Sequence, residues 1–253
     1  MNFIVFILGL SVGSFINMAV WRLGHKKSLL KDQRSYCDFC KKPLKIYDNI
    51  PLLSFLIYKG KSRCCGKKLP FSYPIVELLM GIVFVLEFKS PPIPLFEERG
   101  GIMMIVTFLI LTVMMFEAVF DFYYLSVPDE ATFSLIGLGI IHWFFTGMSK
   151  EKVISAILAA LFMWMLTKIK IKGQQAMGEG DIFLASFMGL FLGYPGILVA
   201  MYLAFISGAV VGVILMLFRK KEKLSPIPFG PFLMFGTVIA YWWGENILSI
   251  IGL

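Results

Sequence analysis

The chain has 253 residues, of which 58% are hydrophobic and 16% are charged, and its mean hydropathy is +0.80. A soluble domain carries about 25% charged and about 45–50% apolar residues. The composition therefore excludes a secreted disulfide scaffold, a disordered chain and an ordinary cytosolic enzyme, and it indicates a polytopic membrane protein. The formal net charge is +8, from 24 Lys and Arg against 16 Asp and Glu.

The apolar segments predict an all-α bundle of about eight transmembrane helices, with six or seven as alternatives. A helix needs about 20 residues to cross the hydrocarbon core of a bilayer. The predicted spans are 3–21, 71–88, 101–120, 131–147, 151–167, 181–194, 196–218 and 229–252. The run at 181–194 is short, so it is either tilted or begins inside the bundle, where irregular backbone is tolerated.

Eight spans place most of the positive charge on one side of the membrane. That side holds 20 of the 24 Lys and Arg residues, in segments 22–70, 168–180 and 219–228. By the positive-inside rule this side is cytoplasmic, and both termini face outward. The basic residues near the N-terminus follow the first apolar stretch, so that stretch is predicted to be a retained span and not a cleavable signal.

Three parts follow from this pattern: a first transmembrane helix at 1–23, a basic cytoplasmic insert at 24–70, and a transmembrane bundle at 71–253. The charge of the insert is interpreted as a topology signal that also attracts anionic membrane lipid. No nucleic-acid-binding motif accompanies it, so we expect no nucleic-acid partner.

All four cysteines, Cys37, Cys40, Cys64 and Cys65, lie in the insert. Disulfides are not expected in the reducing cytosol. Four thiolates in two pairs suit a tetrahedral structural zinc ion, which would order an insert that lacks a core of its own. The second pair is adjacent and chelates less readily than Cys-x-x-Cys, so reduced thiols without metal or a redox role remain alternatives.

Two aspartates stand at the ends of predicted spans. Asp121 ends the third span and Asp181 opens the sixth, and the predicted topology places both near the cytoplasmic face. Two carboxylates held together cannot both ionise easily, so one keeps a proton and the pair titrates as a unit. Such a pair supplies the base and the acid with which an aspartic protease activates water. The alternative for Asp181 is a helix N-cap.

Other residues near these aspartates have less specific interpretations. Gly178 and Gly180 allow close backbone approach and unusual dihedral angles before Asp181. Glu117 lies four residues before the first aspartate, on the same helix face, where it tunes the site or lines a polar cavity. Asp129 is interpreted as a turn or helix-cap residue.

Three further acids lie in the predicted spans, where ionisable groups are costly. Glu77, near the cytoplasmic start of the second span, is either paired with a cation of the loop or functional. Glu87 and Glu245 lie near outward-facing span ends, where we expect solvent to reach them.

An ordered set of motifs extends over nearly the whole chain, at residues 13–22, 47–51, 73–77, 121–129, 178–181 and 226–231. Residues 178–181 read Gly-Glu-Gly-Asp and match the GxGD motif of intramembrane aspartic proteases. The segment from Asp121 through Val127-Pro128-Asp129 is similar to the segment that carries the other aspartate in one group of these proteases, the bacterial type IV prepilin peptidases. The whole set resembles the bacterial type IV prepilin peptidases.

This resemblance implies a function. Members of the family cleave the short basic leader of type IV prepilins and pseudopilins at the cytoplasmic membrane face. Many then N-methylate the new N-terminal residue with S-adenosylmethionine. Carried over by motif, the catalytic pair is Asp121 and Asp181, the location is the bacterial cytoplasmic (inner) membrane, and the residues that bind S-adenosylmethionine are not identified.

One position departs from the family's pattern. The family has Gly-Lys-Cys-x-x-Cys-Gly at the second cysteine pair, whereas residues 60–66 read Gly-Lys-Ser-Arg-Cys-Cys-Gly. Spacing to Tyr73 aligns Cys65 with the fourth family cysteine and Ser62 with the third. Either Cys64 substitutes as a ligand with a shifted loop, or the site has three thiolates and holds zinc more weakly.

Two rival functions remain open on sequence alone. One is a GxGD protease of another substrate class, such as a signal-peptide or preflagellin peptidase, against which the cysteine insert and the proline-rich start of the last span argue. The other is a transporter or metal-linked membrane scaffold that uses the buried acids as a proton path.

Overall fold

The structure is a computed structural model that describes residues 1–29, 35–37, 39–89, 100–171, 174–175, 177–218 and 228–252. Two predicted features lie outside these residues: the basic cluster from Arg219 to Lys223, and the first two residues of the motif at 226–231.

Within the described ranges, eight helices coincide with the eight predicted apolar segments. In chain order the helices are α1 (Asn2–Gly24), the short α2 (Leu53–Ile57), α3 (Ser72–Lys89), α4 (Gly100–Tyr124), α5 (Asp129–Phe145), α6 (Lys150–Thr167), α7 (Gly180–Leu192), α8 (Gly196–Phe218) and α9 (Gly230–Ile251). Between α6 and α7, β1 (Lys170–Ile171) pairs antiparallel with β2 (Gln174–Gln175), with Lys170 opposite Gln175. The predicted helical fold class is confirmed.

The chain is a polytopic membrane protein. In the part of the chain that the structure describes, three helices are long and apolar enough to cross a membrane: Asn2–Gly24, Gly101–Tyr124 and Gly196–Phe218. α7 is apolar but has only 13 residues, and at 1.5 Å per residue it spans about 20 Å. It ends at Gly193, whose φ of +71° terminates the helix.

The chain divides into two compact units, Met1–Val119 and Phe120–Leu253. The first contains α1 to α3, the cysteine insert and most of α4. The second contains the end of α4 and the helices α5 to α9, and it includes both aspartates of the predicted pair.

In the first unit, α1 packs closely along α3 through two glycines one turn apart, Gly9 and Gly13. A Cβ at Gly13 would lie 2.6 Å from the Cα of Glu77, closer than such atoms approach in proteins. A small-xxx-small face of this kind lets two helix backbones come together in a membrane. The close packing brings Asn17 to the start of α3, where its Nδ2 donates to the carbonyl oxygen of Tyr73 at 3.1 Å.

In the second unit, α7 contacts α5, α6, α8 and α9. The backbones of α7 and α6 lie close together at Gly189, where an added Cβ would lie only 2.6 Å from the Cα of Ala156. On another face, Phe191 stacks between Phe187 and Tyr241, at centroid distances of 5.6 and 4.9 Å. The other helices thus surround this short helix and hold its first turn, which carries Asp181, in place.

Candidate active site

Asp121 lies in the last turn of α4 and is 8% exposed. Its Oδ2 accepts a hydrogen bond from the backbone N–H of Gly230 at 2.9 Å. Gly230 is the first residue of α9, and the first N–H groups of a helix lack partners within the helix. The carboxylate therefore satisfies an otherwise open donor and meets the positive end of the α9 dipole.

Glycine at position 230 leaves room for this carboxylate. A Cβ there would lie 2.9 Å from Oδ2 and 3.3 Å from the Cβ of Asp121. Pro231 follows within the first turn of α9, where the missing N–H of proline costs nothing. The Gly-Pro pair therefore begins the helix and also admits the carboxylate to its backbone.

Asp181 lies in the first turn of α7 and is also 8% exposed. Its Oδ2 accepts the backbone N–H of Gly178 at 3.2 Å. The N-cap position belongs to Glu179, which makes no side-chain capping bond. The alternative that Asp181 is the N-cap is therefore wrong, because the helix begins one residue before it.

The two glycines of the GxGD motif are not forced by the local geometry. Neither Gly178 nor Gly180 has a positive φ. A Cβ at Gly178 would lie 3.5 Å from Oδ2 of Asp181, and one at Gly180 would lie 3.6 Å from Val127. Both distances are ordinary van der Waals contacts, so the expected close approach occurs at Gly230 and not in the motif.

The structure brings the two aspartates together within the second unit. The carboxylate of Asp121 acts electrostatically on the carboxyl group of Asp181. Among the described residues, the hydrogen bond that each carboxylate accepts goes to Oδ2, from Gly230 and Gly178 respectively. The pair is buried and oriented by backbone N–H groups that cannot themselves titrate.

The structure assigns the other predicted acids to different surroundings. Glu117 is buried on α4 at 2% exposure. Asp129 is an exposed residue that begins α5, which agrees with its interpretation as a helix-start residue. Glu245 is exposed as expected. The solvated interpretation of Glu87 is wrong, because its side chain lies on the buried face of α3 that also carries Met80.

Glu77 is not paired with a cation of the described part of the insert. Its Oε2 accepts the backbone N–H of Leu52 at 2.8 Å, and the hydroxyl of Ser14 also donates to it. The carboxylate is buried at the start of α3. Among the described residues the partners of Glu77 are therefore a backbone N–H and a hydroxyl, and the predicted pairing with a loop cation is not found there.

The cysteine insert contains two turns with the same hydrogen-bond pattern, at residues 36–43 and 61–68. In each, the second residue donates its N–H to the carbonyl five residues later, and its own carbonyl accepts the N–H four residues later. A β-bridge joins the first and last residues of each turn. The second residue is Cys37 in one turn and Ser62 in the other, so Ser62 occupies a position that matches a cysteine.

The four thiols converge between these turns. Cys37 Sγ lies 3.7 Å from Cys65 Sγ, Cys40 Sγ lies 3.0 Å from Cys64 Sγ, and all four sulfurs lie within 4.8 Å of one another. Zinc–sulfur bonds of about 2.3 Å give a tetrahedral edge of about 3.8 Å, which is close to the Cys37–Cys65 separation. The donor set therefore fits a tetrahedral metal, with Cys64 in the cluster beside the other three.

The Ser62 hydroxyl contacts two members of this cluster. Its Oγ is 3.2 Å from both Cys37 Sγ and Cys64 Sγ. Burial opposes ionisation of the Cys37 thiol, but hydrogen bonds from the backbone of Cys40 and from Ser62 outweigh it and lower its pKa to about 6.

A second thiolate is harder to form in the same cluster. The Ser62 hydroxyl lowers the pKa of the Cys64 thiol, but Cys40, burial and Cys37 together raise it to about 11. The Cys37 thiol therefore ionises more readily than the Cys64 thiol. A divalent cation overrides this difference by deprotonating the thiols that bind it.

Arg63 links the second turn to the rest of the insert. Its Nε and Nη2 donate to Oδ1 and Oδ2 of Asp48 at 2.7 and 2.9 Å. This guanidinium holds the pKa of the Asp48 carboxyl below its usual range. Asp48 belongs to the 3₁₀ turn Ile46–Asn49, so the bidentate pair connects the motif at 47–51 to the cysteine cluster.

Several features of this site were not identified from the sequence. The bond from Gly230 to Asp121 joins residues 109 positions apart, and the signal available was only the proline-rich motif around position 230. The bond from Leu52 to Glu77 likewise had no sequence signal beyond the neighbouring motifs at 47–51 and 73–77.

Known families match both halves of the chain. The Bacterial Peptidase A24 N-terminal domain matches residues 7–90, and the Type IV leader peptidase family matches residues 103–213. No solved structure matches the chain.

Curated relatives named prepilin leader peptidase/N-methyltransferase align over nearly the whole chain. The relative from Bacillus subtilis is 30% identical over 97% of this chain and 96% of its own length. Those from Pectobacterium carotovorum and Aeromonas salmonicida are 30% and 29% identical, over 92% and 96% of this chain and 89% and 91% of their own lengths. The chain belongs to the type IV leader peptidase family.

Proposed function

We propose that this membrane protein removes the leader peptide of type IV prepilins or pseudopilins and then N-methylates the new N-terminal residue. The observation that carries the peptidase activity is the buried pair of Asp121 and Asp181, each oriented by a backbone N–H. The N-methyltransferase activity is supported by the names of the relatives, and its methyl donor in this proposal is S-adenosylmethionine.

The aspartate pair cleaves the peptide by general acid–base catalysis. Asp121 and Asp181 share one proton, so one carboxylate takes a proton from a water molecule while the hydroxyl attacks the scissile carbonyl carbon. The other, protonated aspartate donates to the carbonyl oxygen, and the protons then pass to the leaving amine as the carbon–nitrogen bond breaks. Because the N–H groups of Gly230 and Gly178 hold Oδ2 of each carboxylate, the Oδ1 atoms are the ones that act on water and substrate.

The proposed location is the bacterial cytoplasmic (inner) membrane, with the site near its cytoplasmic face. The asymmetry of the loop cations supports this orientation. The apolar part of the prepilin lies along the bundle and its basic leader stays in the cytosol. Anionic membrane lipid binds the basic insert and reduces its repulsion of the leader.

Incubation of the purified protein with a prepilin in proteoliposomes tests this function. We expect removal of the leader, and, when S-adenosylmethionine is added, a gain of one methyl group on the new N-terminal residue by mass spectrometry. A secretory signal-peptide substrate and a preflagellin serve as controls and should remain intact. Cleavage of either control without cleavage of the prepilin would contradict the proposed substrate class, and proton uptake without any cleavage would favour a transporter.

The cysteine cluster holds a structural zinc ion in this proposal. Cys37, Cys40, Cys64 and Cys65 supply four thiolates and leave no open coordination position, so the metal orders the insert and takes no part in hydrolysis. The Ser62 hydroxyl stays within hydrogen-bond distance of two of the sulfurs and donates its one proton to a single thiolate. Cys64 reaches the cluster from the position just before Cys65, and it supplies the thiol that Ser62 lacks.

Metal analysis of purified variants tests the ligand set. We expect about one zinc per chain in the wild type, the same in Ser62→Ala, and at least about tenfold weaker zinc binding in Cys64→Ser, since a second-shell or ligand loss costs about 10–100-fold or more. Zinc content by mass spectrometry and competition with a chelator give both quantities. Full zinc affinity in Cys64→Ser would remove Cys64 from the ligand set, and loss of zinc from Ser62→Ala would contradict a site held by the four thiols alone.

A further inference from the structure

The short helix α2 of the cysteine insert turns an apolar side outward. Leu53, Leu56 and Ile57 stand three and four positions apart, so their side chains share one side of the helix. All three are exposed, Leu56 at 70% and Ile57 at 61%. Ser54 and Phe55 lie on the other side and line a cavity of the first unit. A surface helix in water has the opposite arrangement, with its polar side outward.

Phe71 joins this apolar side to α3. Its ring meets that of Phe55 edge-on, with the ring centroids 5.5 Å apart, and it is 75% exposed. Phe71 immediately precedes α3, and the exposed residues Ile75, Leu79 and Ile82 follow it at intervals of three and four. The other side of α3 packs along α1. An apolar surface therefore continues from α2 along the outer side of α3.

The two ends of the insert hold this surface at the membrane. α1, which precedes the insert, is long and apolar enough to cross a bilayer, and α3, which follows it, coincides with the predicted span 71–88. An exposed apolar patch marks a contact with a membrane or with another protein. Exposed apolar residues of a helix in a bilayer contact lipid, since lipid is the apolar solvent there. The continuity of the α2 surface with the outer side of α3 therefore indicates lipid as its partner also.

The charges near this surface complement an anionic membrane. Residues 45–71 include six Lys and Arg residues and one acid. That acid, Asp48, is bound by Arg63 at 2.7 Å, so the five lysines give the segment its net positive charge. Lys59 follows α2 after one intervening residue and is exposed. Apolar side chains flanked by lysines are typical of segments that lie in the headgroup region and bind anionic lipid.

We propose that α2 lies in the headgroup region of an anionic bilayer, on the side of the membrane that carries the insert, with the lysines bound to lipid phosphates. The side chains that enter the upper part of the acyl chains are Leu53, Leu56, Ile57 and Phe71. Gly60 ties α2 to the second cysteine turn, because its N–H donates to the carbonyl oxygen of Phe55 at 2.8 Å. The contact therefore also sets how far the cysteine cluster stands from the membrane. This inference rests on α1 and α3 crossing the membrane and is independent of the peptidase and methyltransferase activities.

Photo-crosslinking of the wild-type chain in proteoliposomes tests this contact. The vesicles contain phosphatidylglycerol and a phospholipid that carries a diazirine near the start of one acyl chain, and mass spectrometry of peptides maps the label after irradiation. We expect label within residues 53–57 and at Phe71, at a yield within about threefold of that at Ile75, Leu79 and Ile82. Label on those residues of α3 with none within 53–57 would overturn the proposal, and so would the absence of label from α3.

The charge of the lipid gives a further measurement in the same vesicles. When phosphatidylcholine replaces phosphatidylglycerol, we expect the yield of label within 53–57 to fall by at least about twofold, because the lysines lose an anionic partner. The yield on α3 should stay the same, since its contact with lipid is apolar. An unchanged yield within 53–57 would contradict an anionic lipid as the partner of the insert.

Two leucine positions separate a contact with lipid from a contact with protein. Photo-leucine, a diazirine analogue of leucine with nearly the same shape, replaces Leu56 in one sample and Leu44 in another. Leu44 is the matched control, because it belongs to the same insert but lines the cavity. We expect at least about fivefold more lipid adduct from position 56 than from position 44. Crosslinks from position 56 to another protein segment in place of lipid, or equal lipid adducts from both positions, would overturn the proposal.

Discussion

Replacement of either aspartate of the pair, as Asp121→Asn or Asp181→Asn, is expected to lower the rate of prepilin cleavage by at least about 10²–10⁴-fold, the range that a positioned acid or base contributes. The amide keeps the shape of the carboxylate and an oxygen for the N–H of Gly230 or Gly178, so the protein stays folded. It can neither take a proton from water nor give one to the substrate. The rate of leader removal under single-turnover conditions measures the effect.

Glu130→Gln is the control for this pair of variants. Glu130 is an exposed acid in the first turn of α5, and its change to an amide should leave cleavage at the wild-type rate. The Asp variants should still bind S-adenosylmethionine, which separates loss of proton transfer from loss of folding. Cleavage at the wild-type rate in either Asp variant would remove that residue from the proposed mechanism.

The second large effect is expected from Gly230→Ala, which adds a single carbon beside Asp121. Its Cβ would lie 2.9 Å from Oδ2, so the carboxylate or the start of α9 must move. A misplacement of about 1 Å in a catalytic group costs about 10²-fold in rate. We therefore expect kcat to fall by about 10–10²-fold with little change in KM, because the proton-transfer geometry changes more than the binding of the apolar substrate helix.

Gly244→Ala provides a matched control on the same helix. A Cβ at Gly244 would meet no atom within 4 Å, and alanine favours a helix over glycine by about 1 kcal/mol. This variant should keep the wild-type kcat and melt at the same or a higher temperature. A normal kcat in Gly230→Ala would mean that the N–H of Gly230 does not position Asp121 during catalysis.

Local sequence patterns predicted the helices and the identity of the central residues. In the part of the chain that the structure describes, the eight predicted apolar runs each form a helix, because helix formation depends on neighbouring residues and on the length of each run. The charges at span ends also identified Asp121 and Asp181 as unusual, since ionisable groups in apolar segments are costly. Their convergence could be inferred only through topology, and the structure brings them within electrostatic reach.

Local patterns were misleading where burial or hydrogen bonding depends on distant parts of the chain. Glu87 stands near a span end, yet it lies on the face of α3 that is buried in the first unit. Asp181 follows a glycine-rich turn, yet the helix starts one residue before it and Glu179 takes the N-cap position. In both cases the neighbouring residues are compatible with the predicted environment of the side chain. The environment that the structure shows depends on how the helix packs against other elements.

The sequence by itself determined a helical membrane protein, its four clustered cysteines and its two central aspartates, because composition and short motifs carry that information. Only the tertiary structure decided which atoms surround these cysteines and aspartates. The N–H of Gly230 reaches Asp121 across 109 residues, Cys64 lies in the thiol cluster beside Ser62, and Oδ1 of Asn17 has no hydrogen-bond partner among the described residues. Such contacts depend on how close two backbones can pack, and that distance is set by helix packing and not by the neighbours of any one residue.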